Sequence, residues 1–245
     1  MNKLTHSYLI SSFILLTLIA FQACAPSGEG QNSYRDVDMA TVAPDMSSKV
    51  FENDFVEAFV ISIPFEQEFP THQADDRLVF ALNKFDIQSQ SDAGTSTKTY
   101  EPGEVNKLSA GNYSFKNVGV NPVRFLTVSR NPAILPKDKT FVVRNGITKV
   151  APEKSAILVE DDESRMVEVE LGPGERISAF DALPGMVYLL NDAQIKFLQP
   201  IKGAEKFWST RGYQGEILWL EAGQYELMNT SKRKPAKLLM VGFKK

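Results

Sequence analysis

His72 is the residue on which metal or acid–base chemistry in this chain has to turn. The 245-residue sequence holds two histidines, and the other, His6, lies in an apolar N-terminal stretch. A lone imidazole can act as a general base, or as one ligand of an ion whose remaining shell is carboxylate. The competing reading, which we prefer, is a polar side chain hydrogen-bonded to Asp75, Asp76 or Tyr113, because a single histidine lacks the partners that define a site. Serines are plentiful, but with one imidazole no hydrolase triad is assembled by spacing. Gly172-Pro-Gly-Glu175 lacks the Lys-Ser/Thr ending and following helix of a phosphate loop. Asp161-Asp-Glu163 lacks calcium-loop spacing. Trp208, Tyr213 and Trp219 cluster late in the chain. Trp219 sits on a strand and reads as core or interface rather than as a sugar platform.

The single cysteine, Cys24, is the other reactive side chain, and no disulfide is available within one chain. It closes a segment in which Lys3 precedes the apolar run Tyr8–Phe21, the pattern of a signal peptide rather than a membrane span. Residues 1–23 are therefore read as a leader. Cys24 stands where a bacterial lipoprotein carries its lipid, in a segment that resembles a lipobox although Phe21 and Gln22 depart from it. Ordinary cleavage after Ala23-Cys-Ala25 is the alternative. Residues 24–48 read as a flexible tether rich in Ser, Gly, Asp and Pro. The expected address is the cell envelope of a bacterium, on the periplasmic side or at the outer membrane, lipid-anchored. Loss of residues 1–23 takes away Lys3 and no acid, so 27 basic groups become 26 against 30 acidic, a net of −4. That balance argues against a nucleic-acid partner. Lys232-Arg-Lys234 reads as a solvated hairpin before the last strand.

What must position these residues is a duplicated unit. Leu108-Ser-Ala-Gly-Asn-Tyr-Ser-Phe-Lys-Asn117 is echoed by Leu220-Glu-Ala-Gly-Gln-Tyr-Glu-Leu-Met-Asn229. Glu52-Asn-Asp54 matches Glu160-Asp-Asp162, and Leu78–Asn83 matches Met186–Asn191, both at a spacing of 108. The spacing becomes 112 at Gly103/Gly215 and 113 at Pro122/Pro235, with insertions assigned to loops. Each unit spans roughly a hundred residues, an ordinary domain. Short alternating or apolar runs between Gly and Pro turns, with no convincing helix after the N-terminus, predict an all-β sandwich or barrel.

Each unit resembles a cupin, the small double-stranded β-helix of the jelly-roll class, so the chain resembles a bicupin. The resemblance rests on Gly215–Asn229 with the strand Pro235–Val241, and on Pro70-Thr-His-Gln-Ala-Asp-Asp-Arg-Leu-Val-Phe-Ala-Leu82. It divides the chain into barrel 1 over residues 49–130, a linker over 131–154, and barrel 2 over 155–245. In metal-binding cupins two His, a Glu and a later His converge inside the barrel. Carried over, those positions are His72, Ala74, Leu78 (or its neighbour Val79) and Tyr113, then Phe180, Ala182, Met186 (or Val187) and Tyr225. Methyl, phenyl and thioether groups there do not bind Fe, Mn, Ni or Zn, so no cofactor is expected and His72 is the residual metal candidate.

Strand alternation points His72, Ala74, Leu78, Phe80, Tyr113 and Phe115 inward in one barrel, and Phe180, Ala182, Met186, Tyr188, Tyr225 and Leu227 in the other. The expected pocket lining is His72, Ala74, Phe80, Tyr113, Phe180, Ala182, Tyr188 and Tyr225, with room near Ala74 and Ala182; filled cores are the alternative. Three functions follow: a binding module for a small molecule or envelope protein, a metal-dependent dioxygenase or isomerase using His72, or a structural subunit. Membrane contact through the anchor and pairing into a homodimer are the remaining partner expectations.

Overall fold

The computed structural model describes residues 39–131, 141–201 and 204–244. The leader, Cys24 and residues 25–38 of the tether lie outside the described residues. The first barrel runs through β1 (Ser47–Glu52), β2 (Val56–Ile63), β3 (Glu68–Ala74), β4 (Arg77–Ala81), β5 (Phe85–Ser91), β6 (Gly94–Tyr100), β7 (Val105–Leu108), β8 (Gly111–Asn117) and β9 (Val123–Arg130). The second repeats it as β10 (Ser155–Glu160), β11 (Ser164–Leu171), β12 (Arg176–Ala182), β13 (Gly185–Leu189), β14 (Ala193–Ile201), β15 (Ala204–Gly212), β16 (Ile217–Leu220), β17 (Gly223–Asn229) and β18 (Ala236–Phe243). Each barrel is a five-stranded sheet, ordered β1-β2-β9-β4-β7 or β10-β11-β18-β13-β16, facing a four-stranded one, β3-β8-β5-β6 or β12-β17-β14-β15. All the pairings are antiparallel. The fold is all-β, two tandem jelly-roll barrels.

The repeat extends to details that periodicity does not reveal. A register shift falls between Lys49 and Phe51 in β1, and between Ile157 and Val159 in β10, 108 residues on. Another falls between Phe69 and His72, and between Ile177 and Phe180. Each adds a residue to one strand and re-phases the side chains beyond it. That is why Phe69, His72 and Ala74 are all buried despite uneven spacing. Asn53 and Asp161 each accept two backbone N–H bonds, from Phe55 and Val56 or from Glu163 and Ser164, closing the first hairpin of each barrel. Gly103 and Gly215, at φ 86° and 94°, occupy the left-handed region and donate to Ala81 O and Leu189 O. Buried Asn117 donates to Ile63 O and Asn121 O, and buried Asn229 to Leu171 O, Gly172 O and Lys234 O.

The four-residue change in spacing is not a loop insertion. It lengthens a hairpin, since β5 and β6 have seven residues each and β14 and β15 nine. Their tips pair Ser91 with Gly94, and Ile201 with Ala204.

The tether ends earlier than expected. Met39–Val42 form a short helix, α1, and Met39 and Ala43 are buried in the first barrel's core. Its counterpart α2 (Ile147–Val150) lies within the stretch read as linker and buries Ile147 and Ala151 in the second core. Ser47 donates to Met39 O and Ala43 O, and Ser155 to Ile147 O and Ala151 O. Every one of these residues recurs at a spacing of 108, so the plug is part of the duplicated unit. Four residues are barely one helical turn, too few for a 3.6-residue hydrophobic period to register.

A third core lies between the barrels. Ala58, Leu78, Phe80, Leu126 and Val128 from the first five-stranded sheet pack with Met166, Met186, Tyr188, Leu239 and Val241 from the second. The central strands β4 and β13 are therefore buried on both faces along their whole length.

Candidate functional site

Two barrel mouths compete for the role of site, and one position decides between them. In the first, Arg77 is 4% exposed and spans from β4 to the plug, with Nη1 3.4 Å from Met39 Sδ and Nε donating to Asp75 O at 3.3 Å. The repeat places Gly185 at that point in the second barrel. There a Cβ would collide with the Val241 carbonyl, so no side chain can close the gap. What remains is a narrow crevice beside Ile147, floored by Phe180 and Ala182 and walled by Val167, Leu220 and Met240. Arg165 and Asp181 are its ionisable lining groups.

His72 is 4% exposed and takes no place in such an opening. Its Nδ1 lies 3.0 Å from Pro70 O. The ring meets Phe69 edge-on at 5.1 Å between centroids and Phe115 at 6.0 Å. Of the expected partners Asp75, Asp76 or Tyr113, Asp76 accepts from Ala110 N and Tyr113 donates its hydroxyl to Ser109 O at 2.8 Å. Tyr225 repeats that bond to Glu221 O at 2.9 Å, from a fully buried position. Burial, aided by the nearby Glu221 carboxylate, pushes the Tyr225 phenol up to about 12, so it stays a neutral donor.

Of the expected pocket residues, His72, Ala74 and Tyr113 share strands β3 and β8 with Phe69 and Phe115, while Phe180, Ala182 and Tyr225 lie in the second core. Phe80 and Tyr188 do not join them. Both point away from their own barrel into the core between barrels, as do Leu78 and Met186. The neighbours Val79, Ala81, Val187 and Leu189 face inward instead. A one-residue error in phase reverses every side chain of a strand, and strands apolar on both faces carry no alternation to fix the phase. Of the alternatives Leu78/Val79 and Met186/Val187, the structure places the valines inside.

The four family positions thus hold His72, Ala74, Val79 and Tyr113 in one barrel, and Phe180, Ala182, Val187 and Tyr225 in the other. One imidazole and two phenols are the only heteroatoms in the two sets, and both phenols are spent on backbone carbonyls. Among the described residues no group of three or more His, Cys, Asp or Glu is disposed to hold a metal ion. The donor set does not fit a transition metal.

Trp219, read from the sequence as core or interface, stacks on Phe51 and Phe55 of the first barrel at 5.9 and 6.0 Å and is an interface residue. One feature escaped the sequence reading. The Arg77-to-Gly185 exchange, which opens the crevice, was visible as a mismatch in the repeat but had no meaning without the plug.

No protein-family model matches the chain, and no curated protein matches it. Solved structures do. AerE from Microcystis aeruginosa is 13% identical with a TM-score of 0.55, over 82% of this chain and 98% of that one. Oxalate decarboxylase from Lactobacillus farciminis, as a formate complex, is 8% identical with a TM-score of 0.56, over 82% and 86%. Oxalate decarboxylase from Bacillus subtilis is 9% identical with a TM-score of 0.56, over 82% and 76%. Identities this low carry the fold and no activity. The fold so shown is that of two tandem cupin barrels.

Proposed function

We propose that this chain is a secreted, lipid-anchored protein of the bacterial envelope whose cupin barrels bind rather than catalyse. The first barrel serves as scaffold and the second offers the crevice over Phe180 and Ala182 to a small molecule. The observation that carries the reading is the content of the eight family positions. Alanine, valine and phenylalanine have no lone pair to give, and the tyrosines that replace the last histidine are tied to the backbone. A first barrel whose mouth Arg77 spans suits a scaffold, because packing there adds stability without recognition. The sheets through which a second copy could pair already face each other inside the chain, so a homodimer would need another surface.

Purified protein should contain no stoichiometric iron, manganese, nickel or zinc. Such a metal, lost on His72→Ala, would return the chain to metal catalysis. Anchoring is tested in a bacterial host by incorporation of labelled palmitate. It should occur in the natural chain and vanish in Cys24→Ser; a natural chain that stays unlabelled refutes the anchor.

A further inference from the structure

The crevice does not end at its apolar floor. Val143, Gly146, Arg165 and Leu183 line it and also an open groove alongside, whose charged groups are Arg144, Lys149, Arg165, Lys244 and Glu160. Four cations there face one carboxylate. Glu160 is itself taken up by Arg165 Nη2 at 2.5 Å and Lys244 Nζ at 2.7 Å. Asp181, the other acid at the crevice, accepts the backbone N–H groups of Arg144 and Asn145. The acids are engaged, and the balance of charge is positive. Arg165 also keeps a donor in reserve, since its Nε is buried without a hydrogen-bond partner. A buried guanidinium N–H left in that state is a standing site for an acceptor, and an anionic acceptor bonds it most strongly.

We propose that the second barrel binds an anionic amphiphile: an apolar chain or ring lies on Phe180, Ala182 and Met240, and a carboxylate or phosphate meets Arg165 at the boundary with the basic groove. This deepens the binding reading above and rests on it. Shape and charge agree on the class. The lining is apolar apart from Arg165 and Asp181, the usual make-up of a site for an apolar ligand with one polar end. A neutral hydrocarbon would leave the Arg165 Nε unsatisfied, and a cationic head would meet the four basic groups. The first barrel has no counterpart, because Arg77 fills its mouth and Glu57 stands where Arg165 stands.

The test uses the fluorescence of cis-parinaric acid and of its methyl ester, titrated into the full chain and into three variants. The acid should bind at least tenfold more tightly than the ester. Arg165→Gln should bring the acid down to the ester's affinity, whereas Arg165→Lys should restore part of the difference. Val143→Trp, at the half-exposed rim, should block both probes while the thermal midpoint stays near that of the natural chain. Dodecanoate and lysophosphatidylglycerol as competitors separate a free acid from a lipid headgroup, and displacement by either supports the shared chemistry. An ester that binds as well as the acid, or an acid indifferent to Arg165→Gln, overturns the anionic assignment and leaves a binding crevice. Failure of both probes to bind the natural chain overturns the crevice as a binding site as well.

Discussion

Tyr113 and Tyr225 stand in the same place in the two barrels and donate to the carbonyl four residues upstream, but they differ in what surrounds that bond. Tyr225 is fully buried against Phe197, while Tyr113 is half-buried and lies parallel to Phe115. Removing the hydroxyl from Tyr225 leaves the Glu221 carbonyl short of a donor where little water can replace it. Tyr225→Phe should therefore cost about 1 kcal/mol, and Tyr113→Phe less, because Ser109 O can be hydrated. Urea denaturation midpoints of the two variants measure the difference; equal losses would show that the hydroxyl is not the stabilising element. The same contrast separates His72 from Phe180. Each occupies the first family position, His72 with its ring among Phe69 and Phe115, Phe180 as plain hydrocarbon under a crevice. At single residues, then, the two copies have kept their backbone geometry and diverged in what their mouths admit.

The elements show why some of this was legible in the sequence and some was not. Duplication was legible because Leu, Ala, Gly, Tyr and Asn recur where the backbone needs them: Gly103 and Gly215 at positive φ, Asn117 and Asn229 bridging carbonyls. Of the positions that the resemblance implies, His72, Ala74, Phe180, Ala182 and Tyr225 lie on β3, β12 and β17, where burial alternates beyond the bulge. Phase failed at Phe80 and Tyr188 because β4 and β13 are buried on both faces, and nothing in Leu-Val-Phe-Ala or Met-Val-Tyr-Leu distinguishes them. The plugs were hidden for a different reason. Met39 and Ile147 sit in stretches whose composition is that of a tether, and only their tertiary contacts with the barrel make them helical. Because α2 and the preceding residues form one wall of the crevice, the pocket could not have been drawn from strands alone. The hairpin β14–β15 illustrates a further limit: a count of inserted residues locates an insertion, but pairing decides whether it becomes loop or strand.

On the scale of the whole molecule, the two barrels meet as the halves of a symmetric dimer would, and the pairs at the two edges of that contact have taken opposite chemistry. Glu163 and Lys107 occupy the places in the repeat held by Phe55 and Trp219. On one edge Phe55 stacks on Trp219 at 6.0 Å; on the other Lys107 Nζ reaches Asp161 at 2.8 Å and Glu163 at 3.5 Å. A contact in which each partner's residue meets the other's equivalent is the mark of an isologous interface, here joined within a single chain. The aromatic edge is indifferent to pH and the ionic edge is not. Burial works to raise the Asp161 carboxyl, yet the bonds from Lys107 Nζ and from the backbone N–H of Glu163 and Ser164 prevail and hold it at about 2, below its ordinary 3.8. A carboxyl depressed in the folded state contributes stability that is complete above its unfolded value and is lost as pH falls through the folded one. Asp161→Asn keeps the turn, as Asn53 shows in the first barrel, and removes only the charge. The natural chain should exceed this variant by about 0.2–1 kcal/mol near neutral pH, the usual worth of a partly exposed pair. The gap should close as pH drops from about 4 towards 2, measured by urea denaturation at each pH. A gap that persists unchanged at the acid end would mean that the carboxylate does not bind the barrels together, and that the sheet faces and the Trp219 stack hold them alone.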